Sequence, residues 1–218
     1  MDWPLLASLD EDERRRVLSA ARRRTYARGD VLVREGDPSD SLHLVASGRL
    51  AVRVSTRDGD NATINLLGAG DYFGELSLLD GQPLTRSATI VALEPAQTLS
   101  LSAAEFRDLR RRHRAADHLL LTLMARRVEE LSGRLLEALY DGLDQRVHRR
   151  LAELSDLYAD GRGPTTIPLT QEHLAELVGG TRPTVNQILR KLEDEGVVAL
   201  GRGKVTVLDR AWLDDQAG

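Results

Sequence analysis

Two short segments carry the residue types that grip a sugar phosphate. Phe73-Gly74-Glu75-Leu76-Ser77 is followed, after a short spacer, by Arg86-Ser87-Ala88. A glycine lets backbone approach a ligand closely, a buried glutamate accepts hydrogen bonds from sugar hydroxyls, and an arginine binds phosphate through parallel N–H donors. The Ser87 hydroxyl and the Ala88 N–H complete a cradle for the anion, and a short helix starting near Glu75 or Leu76 aims its first N–H groups at the same charge. Ribose and phosphate recognition side by side fit a cyclic nucleotide. The plainer alternative is that Glu75 and Arg86 pair with each other inside an empty domain.

A second constellation runs from Gly180 to Arg190. At helical spacing Val185, Ile188, Leu189 and Leu192 form an inner face, leaving Arg182, Pro183, Asn186, Gln187 and Arg190 outward. Arg182 suits bidentate donation to guanine, and Asn186 or Gln187 suits adenine. Thr181, Thr184, Arg190, Arg202 and Lys204 are placed to hold phosphates, with Thr170 on the preceding helix joining the same DNA-facing set. Pro183 is tolerated in a first helical turn, where its missing N–H has no intrahelical partner anyway. The plainer reading of this stretch is a solvated helix face.

The elements that position these groups follow from patterning. Leu5 to Arg23 predicts a surface helix with Leu5, Leu9, Val17, Leu18 and Ala21 inward. From Asp30 to Leu101, short β-type runs (31–33, 42–45, 50–54, 64–67) alternate with turns at Gly29, Gly36, Gly48, Gly59, Gly68, Gly70 and Gly81. Ala103 to Arg112 and Ala115 to Tyr140 predict a short and a long helix. On the long one Leu120, Met124, Val128, Leu131, Leu135 and Leu139 form a seam, read as the contact between two copies of the chain; packing on its own β domain is the alternative. Asp141-Gly142-Leu143-Asp144 reads as a hinge, with Asp144 capping a helix to about Tyr158. Thr170 caps a helix through Val178, Gly179-Gly180 turn, Thr181 caps Arg182 to Glu195, and 197–200 with 204–208 form a β-hairpin wing: a winged helix-turn-helix. The fold class is α+β: a sandwich or barrel of short antiparallel strands with flanking helices over 1–114, a long dimerisation helix over 115–141, and the winged helix-turn-helix over 142–218.

Composition narrows the function. The 218 residues hold no cysteine, which removes disulfides, thiolate metal sites and thiol nucleophiles. His43, His113, His118, His148 and His173 make no ligand spacing and read as surface or helix filler, so no metal is expected. No apolar run approaches the roughly 18 residues of a membrane span, and the acidic start lacks a secretory signal, so a cytoplasmic protein is expected. The net charge of −4 leaves DNA binding to a local basic face. Without a P-loop lysine, a nucleophile elbow or a metal cluster, the chain is not read as an enzyme.

In order and spacing, the Phe73–Ser77 and Arg86–Ala88 segments, the stretch Met124-Ala125-Arg126-Arg127 and the C-terminal helix-turn-helix resemble the cyclic-AMP receptor protein / fumarate-nitrate regulator (CRP/FNR) superfamily of bacterial transcription regulators. The resemblance spans nearly the whole chain and implies that the strands of 1–114 form an antiparallel β-roll. It implies a homodimer that binds a double-stranded DNA operator, with RNA polymerase as a further partner, no bound cofactor, and cyclic AMP as allosteric ligand. It further implies Gly74, Glu75 and Leu76 around the ribose and Arg86, Ser87 and Ala88 around the cyclic phosphate, with Ser77 in the same ligand-binding set. The family holds adenine with a threonine–serine pair on the long helix, which here corresponds to Leu131 and Ser132, and Leu131 has no hydrogen bond to offer a base edge. A second departure is Pro183 and Gln187, where the cyclic-AMP receptor has a glutamate and an arginine, so a shifted operator is expected. The same resemblance leaves room for a regulator that answers another nucleotide or none, and for an enzyme's regulatory subunit.

Overall fold

A computed structural model describes residues 3, 6, 10–55, 61–79, 84–112, 115–161 and 163–217. They form two compact units, 1–61 with 65–132 and 62–64 with 133–218. The expected positions Leu5, Leu9, Gly59, Gly81 and His113 lie outside the described residues.

In the first unit α1 (Glu11–Ala20) starts at Asp10, whose carboxylate accepts from the Glu13 N–H at 2.8 Å while Glu13 accepts from the Asp10 N–H at 3.0 Å. The helix is shorter than its apolar spacing suggests. After Ala21 the chain turns extended, and Arg22 to Tyr26 form the edge strand β1 with its arginines exposed. The strands β2 (Val31–Val33), β3 (Ser41–Ser47), β4 (Leu50–Ser55), β5 (Asn61–Leu67), β6 (Tyr72–Phe73), β7 (Thr89–Ala92) and β8 (Ala96–Ser102) complete two antiparallel sheets, ordered β1-β8-β3-β6 and β2-β7-β4-β5. Strand β3 is buried on both faces. Leu42, Leu44 and Ala46 pack with Trp3, Leu101 and Phe106, whereas Val45 packs with Leu50, Phe73 and Ile90 between the sheets. Gly48 turns β3 into β4 at φ +80°, where a Cβ would stand 2.5 Å from the Pro95 carbonyl oxygen; no other residue fits.

Helix α2 (Ala103–Arg112) leads to α3 (Ala115–Tyr140), along which the expected seam divides. Leu120 and Met124 join Ala116, Leu119 and Leu123 in the core of their own β domain, which corrects their place in an intermolecular stripe. Val128, Leu131, Leu135 and Leu139 stay 55–64% exposed, and Leu121 is 67% exposed.

In the second unit α4 (Leu143–Tyr158) is capped by Gly142, not by Asp144, because only two residues separate it from α3; the Gly142 N–H donates to Gln145 at 3.1 Å. Arg149 on α4 reaches back to Glu137 at 3.2 Å and to Asp141 at 2.5 Å, spanning that break. The helix-turn-helix consists of α5 (Gln171–Val178) and α6 (Arg182–Asp194), capped by Thr170 and Thr181, with Gly179 left-handed at φ +63° between them. Strands β10 (Val198–Gly201) and β11 (Lys204–Val207) form the wing. Two further elements complete the unit. Strand β9 (Thr165–Ile167) adds to β11, and α7 (Arg210–Ala217) buries Leu213 while Arg210 bonds the Asp156 carboxylate at 3.2 and 2.9 Å.

Candidate functional site

Arg86 lies on the segment leading into β7, and its backbone is fixed by a bond from its N–H to the Asp37 carbonyl (2.8 Å) and one from the Gly36 N–H to its own carbonyl (2.9 Å). Its side chain is 5% exposed. Nη1 donates to the Ser41 carbonyl at 2.8 Å, and Nη2 donates to the Ser41 hydroxyl at 3.0 Å and to Asp40 at 3.3 Å. Of its five N–H donors the buried Nε–H has no partner among the described residues. Burial pulls the guanidinium below its ordinary pKa, against the opposing pull of Asp40, yet an arginine stays cationic. A buried cation with an unused donor matches the chemistry of an anion.

Gly74 adjoins this guanidinium. At φ +81° it sits where a Cβ would come within 2.2 Å of Arg86 Nη1 and 2.5 Å of the Ser41 carbonyl oxygen, so the sequence motif brings glycine and arginine together as its chemistry requires. Glu75 follows, 4% exposed, but its ion-pair partner is Arg127 on α3 at 3.2 Å, with Arg127 also held by Glu130 at 2.9 Å. Glu75 and Arg86 therefore do not neutralise each other as a closed pair. Burial alone would lower the Arg127 pKa; Glu75 and Glu130 outweigh it and raise it. The helix expected at Glu75 is a single 3-10 turn, Glu75–Leu78, too short to sum an appreciable dipole. Within it Ser77 spends its hydroxyl on the Gly74 carbonyl at 2.6 Å, and Leu76 is exposed. Ser87 is exposed and Ala88 half-buried. Leu131 and Ser132 are exposed on α3, Leu131 one helical turn beyond Arg127.

Asp40, Ser41, His43 and Arg127 were not legible as site residues in the sequence. His43 in particular is no surface or helix filler. It is a buried strand residue, 5% exposed, stacked on Phe73 with ring centroids 4.7 Å apart. The signal was its place between Leu42 and Leu44 in a β run, which allowed burial on the opposite face. Burial, and then Arg86 nearby, lower its pKa to about 4.

In the second unit Thr170, Arg182, Arg202 and Lys204 line one cleft of about 310 Å³, together with Gln171 and Glu172. Arg182, Pro183, Thr184, Gln187 and Arg190 are exposed on α6. Asn186 is not: it is half-buried with its Oδ1 enclosed, because it lies next to the buried Val185 on the helix flank, which corrects its outward placement. Thr170 accepts from the His173 N–H at 3.1 Å, and Thr181 meets the Thr184 hydroxyl at 2.9 Å, so these cap hydroxyls are already engaged by the helices they start. Among the described residues no cluster of metal-ligating side chains occurs, and no helix is long and apolar enough to cross a membrane.

Comparison with known proteins joins the two sites. The cyclic nucleotide-binding domain family matches residues 23–113, and the Crp-like helix-turn-helix domain family matches residues 145–215. The cyclic AMP receptor protein of Thermus thermophilus is 36% identical over 98% of this chain and 96% of its own length. The chain belongs to the CRP/FNR family. Within that family the CRP-like cAMP-activated global transcriptional regulator of Mycobacterium tuberculosis is 29% identical over 88% of this chain and 86% of its own. The crystal structure of the Thermus thermophilus catabolite activator protein covers 98% of both chains at 36% identity, with a TM-score of 0.56. FixK2 from Bradyrhizobium japonicum, 18% identical over 91% of this chain and 98% of its own, shares the fold at a TM-score of 0.76. This CRP/FNR member is thus a transcription regulator with a cyclic nucleotide-binding domain and a DNA-binding helix-turn-helix, and not an enzyme.

Proposed function

We propose that the protein is a cytoplasmic homodimer that binds an operator through paired α6 helices and is controlled by a cyclic nucleotide, cyclic AMP first, held in the β-roll. In this reading residues 1–114 bind the nucleotide, 115–141 dimerise and 142–218 read DNA. The observation that carries the ligand is Arg86, a buried guanidinium fixed against Gly74 with its Nε–H unused. Such a group costs stability unless an acceptor meets it, and a cyclic phosphate supplies one. Names of relatives that include cyclic AMP support the same choice.

Glu75 gives the ligand a route to α3. A ribose hydroxyl donating to Glu75 shares or displaces Arg127, so the nucleotide changes an ion pair that belongs to the long helix. Such a ligand acts by population shift: moving a 1:99 equilibrium to 99:1 needs roughly 10⁴-fold preference for the active form. Leu131, unable to hydrogen-bond, offers an adenine only its apolar surface. On the DNA side Arg182 and the wing cations Arg202 and Lys204 share one cleft, which suits a base contact flanked by phosphate contacts, with half-sites about 34 Å apart.

The test is isothermal titration with cyclic AMP, with cyclic GMP as competitor, beside Arg86→Leu. Saturable heat from the wild type that Arg86→Leu abolishes, in a variant with an unchanged circular dichroism spectrum, is the expected result. No heat from either nucleotide overturns nucleotide control and leaves a regulator of another signal.

A further inference from the structure

Beneath the guanidinium lies a chain of hydrogen bonds whose direction is fixed by chemistry. The Ser41 hydroxyl donates to the Asp40 carboxylate at 2.8 Å, and an ionised carboxylate only accepts. Its single proton is then spent. Arg86 Nη2, 3.0 Å from the same oxygen, only donates. His43 Nε2, 3.2 Å away, must therefore donate as well. A neutral imidazole has one N–H, so its Nδ1 accepts from the Thr98 hydroxyl at 3.1 Å. Thr98 is fully buried, and His43 is nearly so.

We propose that His43 is a positioning residue for the phosphate-binding guanidinium: as the Nε2–H tautomer it turns the Ser41 hydroxyl toward Asp40, and so presents the Ser41 lone pair that holds Arg86 Nη2. The inference rests on the nucleotide reading of the Arg86 site. It adds to that reading a residue that touches no ligand. The stack on Phe73, the residue before Gly74, fixes the ring plane, so the ring orders both sides of the cradle, Ser41 on one and the Phe73-Gly74 backbone on the other. The group stays neutral because burial and then Arg86 disfavour a second proton, with Arg24 adding to Arg86 and Asp40 opposing.

Two substitutions separate positioning from packing. His43→Phe keeps a ring against Phe73 and removes both hydrogen bonds; His43→Gln offers an N–H to Ser41 and a carbonyl to Thr98, the same donor and acceptor order. In titrations with cyclic AMP, His43→Phe weakens binding about tenfold, as expected from losing, of the two, the one hydrogen bond that orients Ser41 in a buried network, while His43→Gln stays within about threefold of wild type. Equal weakening in both, or none in either, overturns the proposal. A third measurement does not depend on a variant folding: long-range proton–nitrogen spectra of histidine-labelled wild type place the ring proton on Nε2, and a proton on Nδ1 overturns it. Wild type that binds no nucleotide overturns the nucleotide reading and this inference together, whereas wild-type binding with an unaffected His43→Phe overturns this inference alone.

Discussion

Burial gives His43 a consequence that reaches beyond the proposed ligand site. Its pKa falls from 6.5 in an exposed chain to about 4 in the fold, so between those values the unfolded chain binds a proton that the native state refuses. Stability from this group is therefore complete above about pH 6.5 and is lost as pH falls toward about 4, by roughly 3 kcal/mol at 1.36 kcal/mol per unit. Urea unfolding across that range should show stability rising with pH in wild type and a distinctly flatter slope in His43→Gln. His148, also lowered by burial, contributes the same sign in both proteins and cancels in the comparison. An identical slope in the two would mean that His43 titrates normally. At this scale the sequence exposed some residues and hid others for a physical reason. Gly74, Glu75 and Arg86 were legible because their types have few cheap uses at that spacing. Asp40, Ser41 and His43 are ordinary strand-entry residues until pairing of β3 with β8 places His43 beside Thr98 and the fold sets Ser41 under a guanidinium from 45 positions away.

Elements were read well where local rules decide them and poorly where a distant strand does. Helices α5 and α6 came with their caps, because Thr170 and Thr181 satisfy N–H groups three residues on regardless of tertiary context. Strand β1 did not: Arg22-Arg23-Arg24 has no apolar alternation and is extended because it pairs with β8 along an exposed edge. Strand β9 and α7 were missed likewise, since their burial comes from β11 and α4. The cap of α6 carries a prediction of its own. Thr181→Ala leaves the Thr184 N–H without its acceptor, and should lower the unfolding free energy by about 1 kcal/mol in chemical denaturation. The same substitution should leave cyclic AMP titration unchanged, since the first unit takes no part in that cap. A stability equal to wild type would show that the Pro183 turn holds the helix start unaided.

For the whole molecule, α3 supplies the argument for two copies. Leu121, Val128, Leu135 and Leu139 are 59–67% exposed, and with Ala125 and Ser132 between them they recur at spacings of four and three. That is the repeat by which two helices interdigitate, and a row of large apolar side chains left in water is costly unless covered. Charge complementarity does not explain the row; a second copy of the same helix, as proposed above, would cover it. Replacing Leu135 by glutamate places two carboxylates opposite each other in the seam, with no cation on the row itself to offset them. Sedimentation of wild type should give a dimer of 24.1 kDa chains, and Leu135→Glu a monomer with unchanged circular dichroism. Operator affinity should fall with it, because each half-site then binds alone and loses the effective concentration that a linked second module provides, commonly 10²-fold or more. Binding to DNA of unrelated sequence depends on phosphate contacts and should weaken far less, retaining its steep salt dependence. A wild type that sediments as a monomer would remove the dimer from the mechanism, and a Leu135→Glu dimer would move the seam away from this row.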